Sequence, residues 1–335
     1  MSESASEVRS ESPGRIALRT LTHDKRSWVS LGLLIFIVLL CLLAPWYASA
    51  ISKSDPFISN VNGTITLNGV QQQILQPSTE GLGLGVTPIG PQGFGPYALG
   101  SDNQGRDVAA RILYGGRNTL LIGASAALIT IVIATIVGLI AGYWRGWLDS
   151  IISRLLDVIW AFPVYLLAIS LSVVLLTSGI HFGPIKLEAG SIYLPIVIIG
   201  MVYVPYVARP VRGQVLSLRE REFVRAAVGS GAKSSTIIFR EILPNIIPSV
   251  LVFIPLMMAL AMLTESALSF LSIGVQPPNA SWGTIINDGL GLLYTRPMVA
   301  ISGGFMIVIT AAMLNLFGDA VRDALDPKAR LRSSE

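Results

Sequence analysis

Six long apolar stretches constrain this chain more than any other feature of its sequence. They cover about Trp28–Ala44, Leu120–Tyr143, Val158–Thr177, Ile192–Ala208, Ile247–Thr264 and Met298–Phe317. A segment that crosses the hydrocarbon core of a bilayer needs about 20 consecutive apolar residues, because its backbone amides must be satisfied inside the segment. Only 13% of the residues are charged, against about 25% in soluble domains. The sequence therefore predicts an all-α integral membrane protein with six transmembrane helices.

Basic residues are distributed unevenly among the segments that connect these stretches. A cytoplasmic N-terminus puts 18 of the 24 Lys and Arg residues inside and 6 outside. Because positive charge near the ends of spans is retained in the cytoplasm, we expect both termini to be cytoplasmic. This topology accounts for the net charge of +4, so no nucleic-acid partner is predicted.

The spans divide the chain into five parts. These are a cytoplasmic tail (residues 1–27), the first transmembrane helix (28–45), an extracytoplasmic loop (46–117), a core with spans two to six (118–318) and a second cytoplasmic tail (319–335). Inside the core, the cytoplasmic segment 209–246 is far longer than the usual connection of about 4 to 6 residues. A connection of that size usually has a function.

The long outer loop contains a pattern typical of a short β-hairpin. Asn68-Gly69 is a favoured two-residue turn, and it separates Thr64–Leu67 from Val70–Leu75. The loop as a whole is rich in Gly, Pro, Gln and Asn. It is either a flexible connection or a small cap or docking surface, and the sequence leaves both open.

The cytoplasmic stretch "GSGAKSS" at residues 229–235 is superficially similar to a phosphate-binding loop. A Walker A loop has the pattern G-x-x-x-x-G-K-[ST] after a buried strand. Here Ala232 separates Gly231 from Lys233, and Ala227 stands where the first glycine is required. The preceding residues are charged and helix-forming. We therefore predict that no nucleotide binds here.

The same stretch has the pattern of a helix, a glycine turn and a second helix. Glu222–Val228 forms the first helix, and Gly229 and Gly231 can adopt the positive φ that ends it. The pair Ser234-Ser235 supplies N-caps for the second helix. That helix either stops at Pro244 or continues there as the fifth span.

Several motifs carry a resemblance to a known family. "EFVRAAVGSGA" followed by "ILPN" resembles the EAA loop of bacterial ABC-importer permeases, with Glu222, Ala226, Ala227, Gly231, Leu243 and Pro244 on its positions. "LGSDNQGRDVAARILYGGR", "YWRGWLDSIISRLLDVIWAFP", "ESALSFLSIGVQPPNASWG" and "GDAVRDALDPK" resemble the C-type subunit of the dipeptide, oligopeptide and nickel permeases. The resemblance covers residues 28–328, and Glu241 and Ser272 depart from it.

This resemblance implies the type I ABC-importer permease fold in a bacterial or archaeal inner membrane. The chain would form half of a translocation pathway for dipeptides or oligopeptides. Its partners would be a homologous second permease, two ABC ATPase subunits and an extracytoplasmic substrate-binding protein. ATP hydrolysis would be carried by the partners, so this chain would be no enzyme and would need no cofactor or metal.

The resemblance also implies roles for the residues of the cytoplasmic segment. Glu222 and Arg225 would make polar contacts to an ATPase, Ala226 and Ala227 would let the helix seat closely, and Gly231 would make the turn. We expect Gly231→Asp or Ala227→Trp to leave the protein in the membrane and to abolish uptake.

Charged residues precede the second span on the outer side. Asp102, Arg106, Asp107 and Arg111 lie at helical spacing. They form either a solvated, ion-paired face or an outer gate and contact with a binding protein.

Three other polar residues are candidates for the pathway. Glu265 and Ser266, at the outer end of span five, either line its exit or cap it, and Asn315 in the last span is a candidate pore-facing group.

An ion-coupled secondary carrier or a channel is the alternative class. Carriers place costly ionisable groups inside the bilayer, whereas the central thirds of these six spans contain no Asp, Glu, Lys, Arg or His. Six spans are also half of the roughly twelve that many carriers build from two repeats.

Overall fold

The apolar stretches form a set of long helices. The structure is a computed structural model that describes residues 19–67, 69–78, 85–182, 185–188 and 190–325. Residues 1–18 and 326–335, which belong to the two predicted tails, and the predicted turn residue Asn68 lie outside the described residues. The helices are α1 Lys25–Leu42, α2 Val108–Trp144, α3 Gly146–Ala161, α4 Val164–Ser178, α5 Tyr193–Val202, α6 Val204–Arg219, α7 Glu222–Gly229, α8 Ser234–Phe270, α9 Trp282–Gly289 and α10 Met298–Leu325.

Five helical segments of the described residues are long and apolar enough to cross a membrane, with α5 and α6 counted as one. The bent pair α3 and α4 makes a sixth if it is one span. The predicted class, an all-α integral membrane protein with about six spans, is therefore confirmed.

The third predicted span, Val158–Thr177, is wrong as a single straight helix. α3 ends at Ala161, α4 begins at Val164, and their axes differ by 89°. Pro163 disfavours the helical conformation of the residue before it, and Phe162 is accordingly extended with φ −89° and ψ 138°. Proline chemistry at this position therefore overrides the apolar composition.

Most of the predicted cytoplasmic segment 209–246 is helical, because the helices that contain the flanking spans extend into it, and its predicted boundaries stay a prediction. The span containing α5 and α6 runs to Arg219, and α8 already begins at Ser234. Pro244 does not interrupt α8, since it follows a π-helical stretch, Ile237–Ile242, and lies in the first turn of the next α-helical part. A missing backbone N–H is tolerated at that position.

Helix α2 is the central element and packs against α1, α5, α6 and α8. Two of its glycines make the contact with α6 close. A Cβ atom at Gly138 would lie 2.7 Å from Cγ1 of Val211, and one at Gly142 would lie 2.6 Å from Cβ of Val215. Small residues at such spacing let helix backbones approach each other in membranes.

The described part of the segment between α1 and α2 contains two pairs of antiparallel strands. β1 Thr64–Leu67 pairs antiparallel with β2 Val70–Gln73, which confirms the strands of the predicted hairpin. The second strand ends earlier than predicted, because Leu75 starts β3, Leu75–Pro77, which pairs with β4, Val86–Pro88. A last pair, β5 Ile180–Phe182 and β6 Ile185–Leu187, lies between α4 and α5.

Candidate functional site

Helix α7 is a short helix that connects two spans. Its C-terminus is closed by a Schellman motif, in which the Ala232 amide donates to Ala227 O (3.1 Å) and the Gly231 amide donates to Val228 O (3.0 Å). Gly231 adopts φ +79°, as predicted, whereas Gly229 lies in the last helical turn without a positive φ. Only one of the two glycines therefore makes the turn.

One side of α7 is anchored and the other is exposed. Val224 is buried in the same hydrophobic cluster as Ile237 and Ile238. Ala227 is half-buried and packs against this cluster, while Ala226 is exposed. The two alanines therefore differ in exposure, and their shared role in docking stays a prediction. A bulky side chain at position 227 would push α7 away from the hydrophobic cluster that holds it. A substitution there changes the position of α7 itself, so only position 226 tests docking.

The exposed surface of α7 is mixed in character. It contains Glu222, Phe223, Arg225, Ala226 and Val228. Glu222 makes no hydrogen bond or ion pair within the part of the chain that the structure describes. The surface therefore offers a carboxylate and apolar side chains to a partner.

Arg225 is held within the chain. It donates a hydrogen bond to Glu220 (3.3 Å), which also accepts one from Arg145 (2.8 Å). The Arg145 guanidinium, and then that of Arg225, holds the pKa of Glu220 below its usual range. Glu220 thus connects α7 to the junction between α2 and α3.

The start of α8 differs from the sequence expectation. Ser234 is the first helical residue rather than the N-cap, which is Lys233, and no side chain caps this end. The exposed segment between α7 and α8 is a tight turn. Pro244 lies more than two helical turns after the start of α8 and is exposed.

Four charged residues from two distant parts of the chain form a cluster. Arg106 Nε lies 2.7 Å from Asp102 Oδ2, and its Nη2 lies 2.9 Å from Asp288 Oδ2. Arg111 contacts the same two carboxylates at 3.5 and 2.7 Å. Asp102, Arg106 and Arg111 are buried, so these residues are ion-paired as one alternative predicted but are not solvated, and a role as a gate or binding-protein contact stays a prediction. Asp288 was not predicted, because it lies far away in sequence.

Asp107 has a separate role. It is the N-cap of α2, and its Oδ1 accepts hydrogen bonds from the amides of Ala109 (2.8 Å) and Ala110 (3.3 Å). Its Oδ2 accepts from Ser52 Oγ (2.6 Å) and the Tyr97 amide (3.0 Å). This buried carboxylate therefore joins α2 to the folded outer segment.

Glu265 lies in α8 and is completely buried. It accepts hydrogen bonds from Ser269 Oγ (2.6 Å) and Ser266 Oγ (3.4 Å), and the hydroxyls of Thr119 and Ser281 complete its surroundings. Ser266 is buried as well. Both side chains are enclosed in this conformation, and whether they line the exit of a pathway or cap it stays a prediction. Their position favours an internal link.

A cavity that the sequence did not indicate lies between α6, α8 and α10. Its volume is about 510 Å³, and its polar lining groups are Gln214, Ser249 and Arg322. Asn315 is exposed on α10, seven positions before Arg322, and thus on the same helix face. The expectation that Asn315 faces a pathway stays a prediction.

Long apolar helices joined by the short, exposed helix α7 are the architecture of a multi-pass membrane protein. A family model described as binding-protein-dependent transport system inner membrane component matches residues 134–331, and one for the N-terminal TM domain of oligopeptide transport permease C matches residues 12–62. The chain belongs to the family of binding-protein-dependent transport system inner membrane components.

Known proteins agree with this assignment. The chain is 34% identical over 319 residues to the dipeptide transport system permease protein DppC of Alkalihalophilus pseudofirmus, covering 95% of this chain and 91% of the relative. It is 34% identical to the oligopeptide transport system permease protein OppC of Bacillus subtilis, covering 94% of this chain and 89% of the relative.

The fold is also similar to that of a solved transporter chain. A chain of the MetNI methionine ABC transporter in an inward-facing conformation matches with a TM-score of 0.51 and 17% identity. The match covers 64% of this chain and 96% of that chain. The chain therefore has the fold of an ABC-importer permease.

Proposed function

We propose that this chain is a permease subunit of an ATP-driven importer and forms half of a translocation pathway for dipeptides or oligopeptides. The substrate class is supported by the names of its relatives, a dipeptide and an oligopeptide permease. A second permease completes the pathway, and an extracytoplasmic binding protein delivers the peptide. Both termini are cytoplasmic in the inner membrane, as the distribution of basic residues favours.

The observation that carries this proposal is the position of α7. Only two residues separate α7 from α6, and Val224 anchors it while Phe223, Ala226 and Val228 remain exposed. α7 is thus an anchored helix that exposes a small apolar surface and the carboxylate of Glu222, which has no partner among the described residues. It docks on an ATPase subunit, which supplies the energy that this chain does not generate.

Cysteine cross-linking tests the docking. Cys41 is the sole cysteine, so a Cys41→Ser background allows one thiol to be placed at a time. Ala226→Cys should cross-link to an ATPase subunit in membranes, whereas Val224→Cys, two positions away but buried, should not. Equal cross-linking of both variants to the ATPase subunit, or no cross-linking of Ala226→Cys, would contradict docking through this face.

Transport assays separate this function from that of an ion-coupled carrier. Proteoliposomes that contain both permeases and the ATPases should accumulate peptide when binding protein and ATP are present and no ion gradient exists. Uptake that follows a proton or sodium gradient without ATP would instead support the carrier.

A further inference from the structure

Three ion pairs follow α3 and α6 in an antiparallel order, two between the helices and one between Arg145, just before α3, and Glu220, just after α6. The pairs are Arg145–Glu220 (2.8 Å), Asp149–Arg212 (2.5 and 2.7 Å) and Asp157–Arg209 (2.6 Å). Positions ascend along α3 while they descend along α6, so the pairs follow one another in order between the two helices, and this set is here called the α3–α6 ladder. Arg209 also lies over the ring of Trp160, 4.8 Å from its centroid.

The ladder lies between the two elements whose relative movement would matter for transport. α6 is followed almost directly by α7, so a displacement of α7 acts on the end of α6. α3 leads through the bend at Phe162-Pro163 into α4. A displacement of α7 can therefore be transmitted through α6 and the ion pairs of the ladder to the bent pair α3–α4.

We propose that the α3–α6 ladder transmits the movement of α7 to the bent pair α3–α4, and that Asp149 is its principal positioning residue. This inference rests on the proposed coupling of α7 to an ATPase. It adds the route by which that movement reaches a membrane-embedded element.

The middle rung is the strongest for geometric reasons. Arg212 donates to both oxygens of Asp149, and Ser153 Oγ also lies 3.2 Å from Oδ1. Two-point pairing of guanidinium and carboxylate fixes orientation as well as distance. The side chains of this rung are 16% and 32% exposed, whereas in the other rungs the exposure is 37% to 66%. Solvent therefore screens the middle rung least.

The test is the number of peptides imported per ATP hydrolysed by the complete complex in proteoliposomes. Asp149→Asn and Arg212→Gln should each lower this ratio about tenfold, which corresponds to about 1.4 kcal/mol of lost coupling. The double variant should be no worse than either single variant, because both remove the same contact. Asp157→Asn, in an exposed rung, should lower the ratio less than Asp149→Asn does. Arg154→Gln, at an exposed position of α3 outside the ladder, serves as the matched control and should keep a ratio near that of the unaltered protein.

Two results would overturn the proposal. One is an unchanged ratio in Asp149→Asn. The other is that uptake, ATP hydrolysis and the amount of assembled complex all fall in the same proportion. That result is expected if the ion pair only stabilises the complex. Failure of the unaltered complex to couple ATP to uptake would instead overturn the proposed function itself.

Discussion

Arg111 Nη2 and Asp288 Oδ2 lie 2.7 Å apart, although 177 positions separate the two residues in the chain. Their contact fastens the outer end of α2 to α9, and Arg111 also donates to Pro56 O (3.1 Å) in the outer segment. One guanidinium thus holds three distant parts of the chain together on the outer side.

Loss of this guanidinium should destabilise the protein. Arg111→Gln leaves Asp102 and Asp288 with less compensation, and removing one partner of a buried ion pair costs about 3–5 kcal/mol. Thermal unfolding of the purified protein in detergent measures the change. Asp157→Asn breaks an exposed pair and should cost less than about 1 kcal/mol. Similar losses of stability in the two variants would show that burial of the ion-pair cluster around Arg111 adds nothing to the stability of the protein.

Gly231 and Gly229 should respond differently to substitution. Gly231 has φ +79°, while Gly229 has no positive φ, and neither would meet another atom within 4 Å of an added Cβ. A left-handed conformation costs a residue with a side chain about 1–2 kcal/mol. Gly231→Val should therefore abolish ATP-driven uptake at unchanged membrane content, as expected for Gly231→Asp, while Gly229→Ala should keep it. Normal uptake by Gly231→Val would contradict a need for this turn.

The Tyr97 hydroxyl should titrate at unusually high pH. Burial raises the pKa of Tyr97, and the Asp107 and Asp102 carboxylates raise it further, although a hydrogen bond from Asn60 opposes this. A raised folded-state pKa means that the associated stability is complete below the unfolded pKa of about 10 and is lost as pH rises through the folded value. The difference in tyrosinate absorbance between the unaltered protein and Tyr97→Phe isolates this group. A difference that titrates in the ordinary tyrosine range would disprove the burial.

Glu265 should tolerate an amide better than truncation. Glu265→Gln keeps the volume and one oxygen acceptor among rotatable hydroxyls, so folding and ATP-dependent uptake should persist. Glu265→Ala leaves a cavity and unpaired polar groups, each of which costs about 1–3 kcal/mol, and should reduce the amount of folded protein. If Glu265→Gln folds normally but loses uptake together with ion dependence, the residue serves ion coupling and the carrier alternative gains support.

Local patterns in the sequence account for the parts of this protein that were predicted well. The apolar stretches indicated the spanning helices, because a bilayer imposes length and composition on each segment separately. Thr64–Leu67 and Val70 onward indicated a hairpin, and Gly231 indicated the turn after α7. These features depend on residues that are neighbours in the chain, so short windows of sequence contain the relevant information.

Only the tertiary structure decided which distant residues meet and which side chains are buried. No spacing pattern in the sequence connects Arg111 with Asp288 or Asp149 with Arg212. Ala226 and Ala227 are neighbouring residues of the same type, yet they differ in burial. The 89° bend after α3 was also missed, although Pro163 signals a break, because apolar composition alone continues across it. The sequence by itself determined the class of protein and most of its spans. Contacts between helices determined the ion pairs, since such pairing depends on how whole helices pack.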